Sequence, residues 1–68
     1  MTLKALRVNA GLTQGALADK AGLSWSVISA AEGGRPVRAT TAKALADALS
    51  KVYERDIKPT DLEGLNIQ

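Results

Sequence analysis

The sequence predicts an all-α fold, a compact bundle of four or five short helices. Three observations carry that expectation. Apolar residues recur at i, i+3 and i+4 in four separate segments. Three of those segments begin at a Thr or Ser, and three end on Gly. No stretch alternates β-branched and polar residues as a half-buried strand would.

The first helix is expected over about residues 2–9, with Leu3, Leu6 and Ala10 on its inward stripe and Gly11 ending it. The second is expected over about residues 14–21. Thr13 is its N-cap, Leu17, Ala18 and Ala21 face inward, and Gly22 ends it. The third is expected over about residues 25–32, with Ser24 as N-cap and Val27, Ile28 and Ala31 at helical spacing. Gly33 and Gly34 stop it, and Pro36 prevents continuation. A basic loop follows to Ala39. The fourth helix is expected over about residues 41–52, capped by Thr40, with Ala42, Leu45, Ala46 and Leu49 inward. A short fifth helix is expected over about residues 59–63, with Pro59 in a first turn that tolerates its missing N–H. The remaining tail either covers the core or stays mobile.

Composition narrows the function. The chain of 68 residues is expected to form one domain, with a core built from aliphatic side chains, because Phe is absent and Trp25 and Tyr53 are the only aromatics. There is no Cys and no His, so thiolate chemistry, disulfides and imidazole acid–base chemistry are excluded. No Gly-rich phosphate loop with a Lys is present, and the carboxylates are scattered. The chain is therefore expected not to be an enzyme and to hold no cofactor and no metal. No apolar run reaches the roughly 20 residues of a membrane span. No signal peptide is evident, and a reducing, cytoplasmic setting fits the absence of cysteine. Charge is uneven. Residues 1–43 carry six basic side chains against two acidic ones, and residues 44–68 carry three against five. A basic N-terminal part suits a polyanion, although charged helix surface alone would look the same.

The informative segment runs from Gln14 to Gly33. Two short helices crossing at about 90–120° through a tight turn need a small residue at the crossing. They also need a turn residue free to take positive φ. Ala18 supplies the first and Gly22 the second. Ile28 is the stiff apolar plug between the helices. The outward positions of the third helix are then Ser24, Trp25, Ser26, Ser29, Ala30 and Gly33, a polar and small surface with one large aromatic.

Taken with flanking segments, this pattern resembles the lambda-repressor-like helix-turn-helix domains, the XRE family. The matching residues are Leu3-Lys4-Ala5-Leu6-Arg7, Gly11-Leu12-Thr13-Gln14, Leu17-Ala18, Lys20-Ala21-Gly22-Leu23-Ser24 and Ile28-Ser29. They continue through Glu32, Gly34-Arg35-Pro36-Val37-Arg38 and Thr41 to Leu49. The resemblance implies a five-helix fold whose third helix enters the major groove of double-stranded DNA. It also implies a sequence-specific transcriptional regulator, most simply a repressor. Thr13 and Gln14, at the start of the second helix, would hold a phosphate or meet a base edge. Thr13 as a plain cap and Gln14 as a solvated side chain are the alternatives.

Ser24, Trp25, Ser26 and Ser29 occupy the reading positions. Trp25 would meet a thymine methyl or the sugar backbone, or else pack on the core or a partner. Arg35 and Arg38 would contact phosphates beside the groove, or serve as surface charge. Lys43 is a weaker candidate, because a helix N-terminus disfavours a cation. Arg7 and Glu32 are expected to pair in a structural role. The third helix carries no Arg, Asn or Gln on its outward face, so shape readout and apolar contact gain weight over bidentate base contacts. Double-stranded DNA is the expected partner, with a second copy of the chain or a regulatory protein beside it. Such a regulator would serve phage immunity, a restriction system or ordinary metabolism. A protein-interaction module on the same fold, of antitoxin or antirepressor type, is the alternative function. Trp25, Leu62, Leu65 and Ile67 would then be its contact surface.

Overall fold

Four helices form where the apolar stripes recur. They are α1 (Leu3–Asn9), α2 (Gln14–Ala21), α3 (Trp25–Glu32) and α4 (Ala39–Tyr53), seen in a computed structural model that describes residues 1–68. Thr2 stands just outside α1 and caps it, its Oγ1 accepting from the Ala5 N–H at 3.0 Å. Thr13 caps α2 in the same way, accepting from Ala16 N–H at 3.0 Å. Gly22 ends α2 with φ at 69°, a left-handed conformation that a side chain resists, and so makes the turn into α3. Ser24 holds the expected N-cap position of α3 but makes no capping bond. Its hydroxyl pairs instead with the Ser26 hydroxyl at 3.1 Å.

Two elements differ from expectation. α4 begins at Ala39, with Arg38 at its N-cap position, so Thr40 lies in the first turn and caps nothing. The cause lies in the preceding loop. Val37 is buried and held extended by the C-terminal tail, so the chain turns into the helix directly after Arg38. The expected fifth helix is only one 3₁₀ turn, Pro59–Asp61. The Asp61 carboxylate accepts the Lys58 N–H at 2.9 Å, and Leu62 then turns inward in an extended conformation and is buried. Glu63 pairs with the opposite end of the chain, its N–H donating to the Met1 carbonyl at 3.2 Å.

Every fully buried residue is apolar. Leu17, Ile28, Leu45 and Leu49 are the largest side chains with no solvent contact, and they join α2, α3 and α4. Burying each such side chain contributes about 1.5–3 kcal/mol. Ala18, Ala31, Ala42 and Ala46 are buried among them, which lets the helices approach closely. The tail covers this core. Leu65 and Ile67 pack against it, and Leu62 is part of it, so these three residues serve the monomer and do not form a free contact surface. Two polar side chains tie the end of α4 down. The Tyr53 hydroxyl donates to the Leu6 carbonyl at 2.6 Å. Ser50 Oγ accepts from the Ile57 N–H at 2.9 Å and donates to the Ala46 carbonyl at 2.7 Å. No helix is long and apolar enough to cross a membrane.

Candidate nucleic-acid interface

The orientation of α3 follows from its two faces. Ile28 and Ala31 point into the core, while Ser24, Trp25, Ser26 and Ser29 are exposed. Trp25 is 60% exposed, an unusual position for the one indole of a small core-poor protein. Ser24 and Ser26 share one hydrogen bond, which leaves one of the two hydroxyl protons free to point outward.

An ion pair fixes the C-terminal end of α3. Arg7 Nε and Nη2 donate to the two Glu32 carboxylate oxygens at 2.5 and 3.0 Å. Arg7 Nη1 also donates to the Leu12 carbonyl at 2.9 Å. The expected structural pairing is thus present and joins α1, the loop after it, and α3. The two side chains are only 11% and 6% exposed. Burial pushes the Glu32 carboxyl upward, but hydrogen bonds from Arg7 and Gln14 and the charges of Arg7 and Lys4 outweigh it. The carboxyl therefore sits below the ordinary glutamate range. The Arg7 guanidinium is correspondingly raised, chiefly by its hydrogen bond to Glu32.

Gln14 belongs to the same network. Its Nε2 donates to Glu32 Oε1 at 3.1 Å, a contact that the sequence does not reveal. The amide is therefore held at the start of α2, with its second N–H and its carbonyl still available. Thr13 Oγ1 is used as the cap acceptor, which leaves its proton free to donate. The backbone N–H groups of Gln14 and Gly15 have no partner in the protein.

Arg35 and Arg38 are exposed and form no hydrogen bond or ion pair with other side chains. An open depression of about 430 Å³ is lined by Trp25, Ser26, Ser29, Ala30, Gly33 and Arg35. A second hollow shares Ala30 with it and is lined by Val27, Pro36, Arg38 and Thr41 among others. The fold thus gathers Trp25, Ser26, Ser29 and Arg35 on one surface and sets Arg38 beside it. No acidic residue lines either hollow. Lys43 lies apart, paired with Asp47 at 2.8 Å one turn along α4.

A family model described as a helix-turn-helix domain matches residues 1–50, which span α1 through most of α4. The chain belongs to this helix-turn-helix family. Neither a curated protein nor a solved structure matches the chain. In the helix-turn-helix unit, α2 is the first helix, Leu23 and Ser24 follow the Gly22 turn, and α3 is the second helix. Helix-turn-helix domains that bind DNA place the second helix in the major groove. The exposed face of this second helix carries Trp25 and the serines. Sequence reasoning found Arg7 and Glu32 from the family pattern but not the Gln14 contact. Nor did it find the tail residues behind the Arg35–Arg38 loop, which carry no local signature.

Proposed function

We propose that the chain binds double-stranded DNA sequence-specifically through α3 in the major groove and acts as a transcriptional regulator, most simply a repressor. The observation that carries this reading is the exposed face of α3, free of acidic residues and bordered by two unpaired arginines. Arg35 and Arg38 would neutralise phosphates on one side of the groove. The free N–H groups of α2, with Thr13 and the Gln14 amide, would take a phosphate on the other. Phosphate contacts set register, and the serines and Trp25 supply the readout. Serine hydroxyls donate to acceptors and accept from donors alike, so discrimination leans on the thymine methyl contact of Trp25 and on duplex shape. Such a regulator would act in the cytoplasm, and as a homodimer it would recognise a palindromic site.

The exposure of Trp25 also favours a second reading, a protein-interaction module of antitoxin or antirepressor type. Selection from a random duplex pool at two salt concentrations separates the two. The DNA reading expects an enriched motif whose binding weakens steeply with salt, and a symmetric motif would report a dimer. A folded protein that enriches no motif refutes it in favour of the protein partner.

A further inference from the structure

The loop that carries Arg35 and Arg38 is built in two halves. The first half is tied to α3, because the N–H groups of Gly33, Gly34 and Arg35 donate back to the carbonyls of Ser29, Ala31 and Ala30. The second half has no such ties. Pro36 has no N–H to give. Val37 pairs with the tail alone. Its N–H donates to the Asn66 carbonyl at 2.8 Å, and its carbonyl accepts the Gln68 N–H at 2.8 Å. This is a parallel β-type pairing of Val37 with Ile67. The Asn66 side chain adds a longer contact, its Nδ2 lying 3.4 Å from the Gly34 carbonyl. Both apolar side chains of the pair turn inward, Val37 buried and Ile67 packed on the core. Residues 66–68 lie beyond the segment that matches the helix-turn-helix family model.

We infer that the C-terminal tail is a staple that positions the Arg35–Arg38 loop, so that Asn66, Ile67 and Gln68 are positioning residues for phosphate contact. This rests on the proposed DNA binding. Arg38 follows Val37 directly and sits at the N-cap position of α4 with no capping side-chain bond. What holds its backbone on the upstream side is therefore Val37, and what holds Val37 is the tail. Without the staple, the duplex must order the loop as it binds, and that cost appears as lost affinity. The tail thereby becomes a place where DNA binding can be tuned without touching α3.

The test uses the full chain with Ile67→Ser and Gln68→Pro together. Both changes are neutral in charge, so they do not repel a duplex. Gln68→Pro removes the N–H that bonds to the Val37 carbonyl, and Ile67→Ser removes the apolar anchor. Hydrogen exchange at the Val37 amide is expected to accelerate while far-UV circular dichroism stays that of the parent. Affinity for the selected duplex is expected to fall roughly three- to tenfold, the cost of ordering a loop on binding. In an Arg35→Ala/Arg38→Ala background the same tail changes are expected to cost nothing further, a coupling that general destabilisation would not produce. Unchanged affinity with accelerated Val37 exchange overturns the staple and leaves DNA binding standing. An equal loss in both backgrounds also overturns it. A parent chain that binds no duplex removes the reading on which it rests. Should the double change unfold the chain, Gln68→Pro alone is read by the same three measurements.

Discussion

Replacing Glu32 by Gln takes one charge out of a nearly buried pair while keeping the side chain's shape. Arg7 would then hold its charge at 11% exposure with only a neutral amide and the Leu12 carbonyl for company. Removing one partner of a buried pair costs about 3–5 kcal/mol, and the residual hydrogen bonding here places the expectation near ~3 kcal/mol. A chain of this length has roughly 3–10 kcal/mol of stability in all, so the loss is a large share of it. The melting temperature should fall by roughly 12–24 °C, at about 4–8 °C per kcal/mol for a domain of this size.

Acid supplies an independent arm of the same test. The Glu32 carboxyl is lowered in the folded state, so the stability it contributes is complete above the ordinary glutamate range. It is lost as pH falls through the lowered folded value. Urea unfolding followed by far-UV circular dichroism at pH 7 and near pH 3 should show the parent losing more stability between the two than Glu32→Gln loses. Trp25 fluorescence is a poor probe here because the indole is already exposed. Arg7→Met with Glu32→Leu should recover most of the loss at pH 7, because an apolar pair leaves no buried charge unpaired. A Glu32→Gln chain within about 0.5 kcal/mol of the parent at pH 7, or two chains with the same pH response, would show that the pair contributes no more than a plain surface site does.

Three further outcomes are expected. Arg35→Ala and Arg38→Ala should each weaken binding to every duplex about equally and reduce the slope of log affinity against log salt by about one unit. An unchanged slope would take those arginines off the phosphate list. Trp25→Ala should leave the urea midpoint nearly unchanged, because the side chain is 60% exposed, yet lower affinity for the selected duplex. Equal binding by parent and variant would show that Trp25 does not touch the DNA. Gly22→Val should destabilise the fold. A Cβ there meets no atom within 4 Å, so the whole cost comes from φ at 69°. That cost is at least about 1–2 kcal/mol for an L-residue, and a β-branched one resists more. A cooperative melt at the parent's temperature would mean that the turn relaxes into another conformation.

Whereas Val27, expected inward, and Ala30, expected outward, are both half-buried and line the same open hollow, the first three helices, the Gly22 turn, the inward Ile28 and Ala31 and the outward Ser24, Trp25, Ser26 and Ser29 were legible in the sequence. These are local matters. A threonine caps the amides just after it, a glycine accepts positive φ where it stands, and a stripe repeats every three or four residues. The Arg7–Glu32 pair was legible too, though only through the family pattern that contains both residues. Tertiary structure decided the rest. It moved the start of α4 to Ala39 and reduced the last helix to a 3₁₀ turn. It also joined Gln14 to Glu32 and laid Asn66–Gln68 along Val37. Each of these depends on groups far apart in the chain. A backbone N–H carries no sign of which distant carbonyl will accept it, and Val37 and Ile67 look like any two aliphatic residues until the core draws both inward.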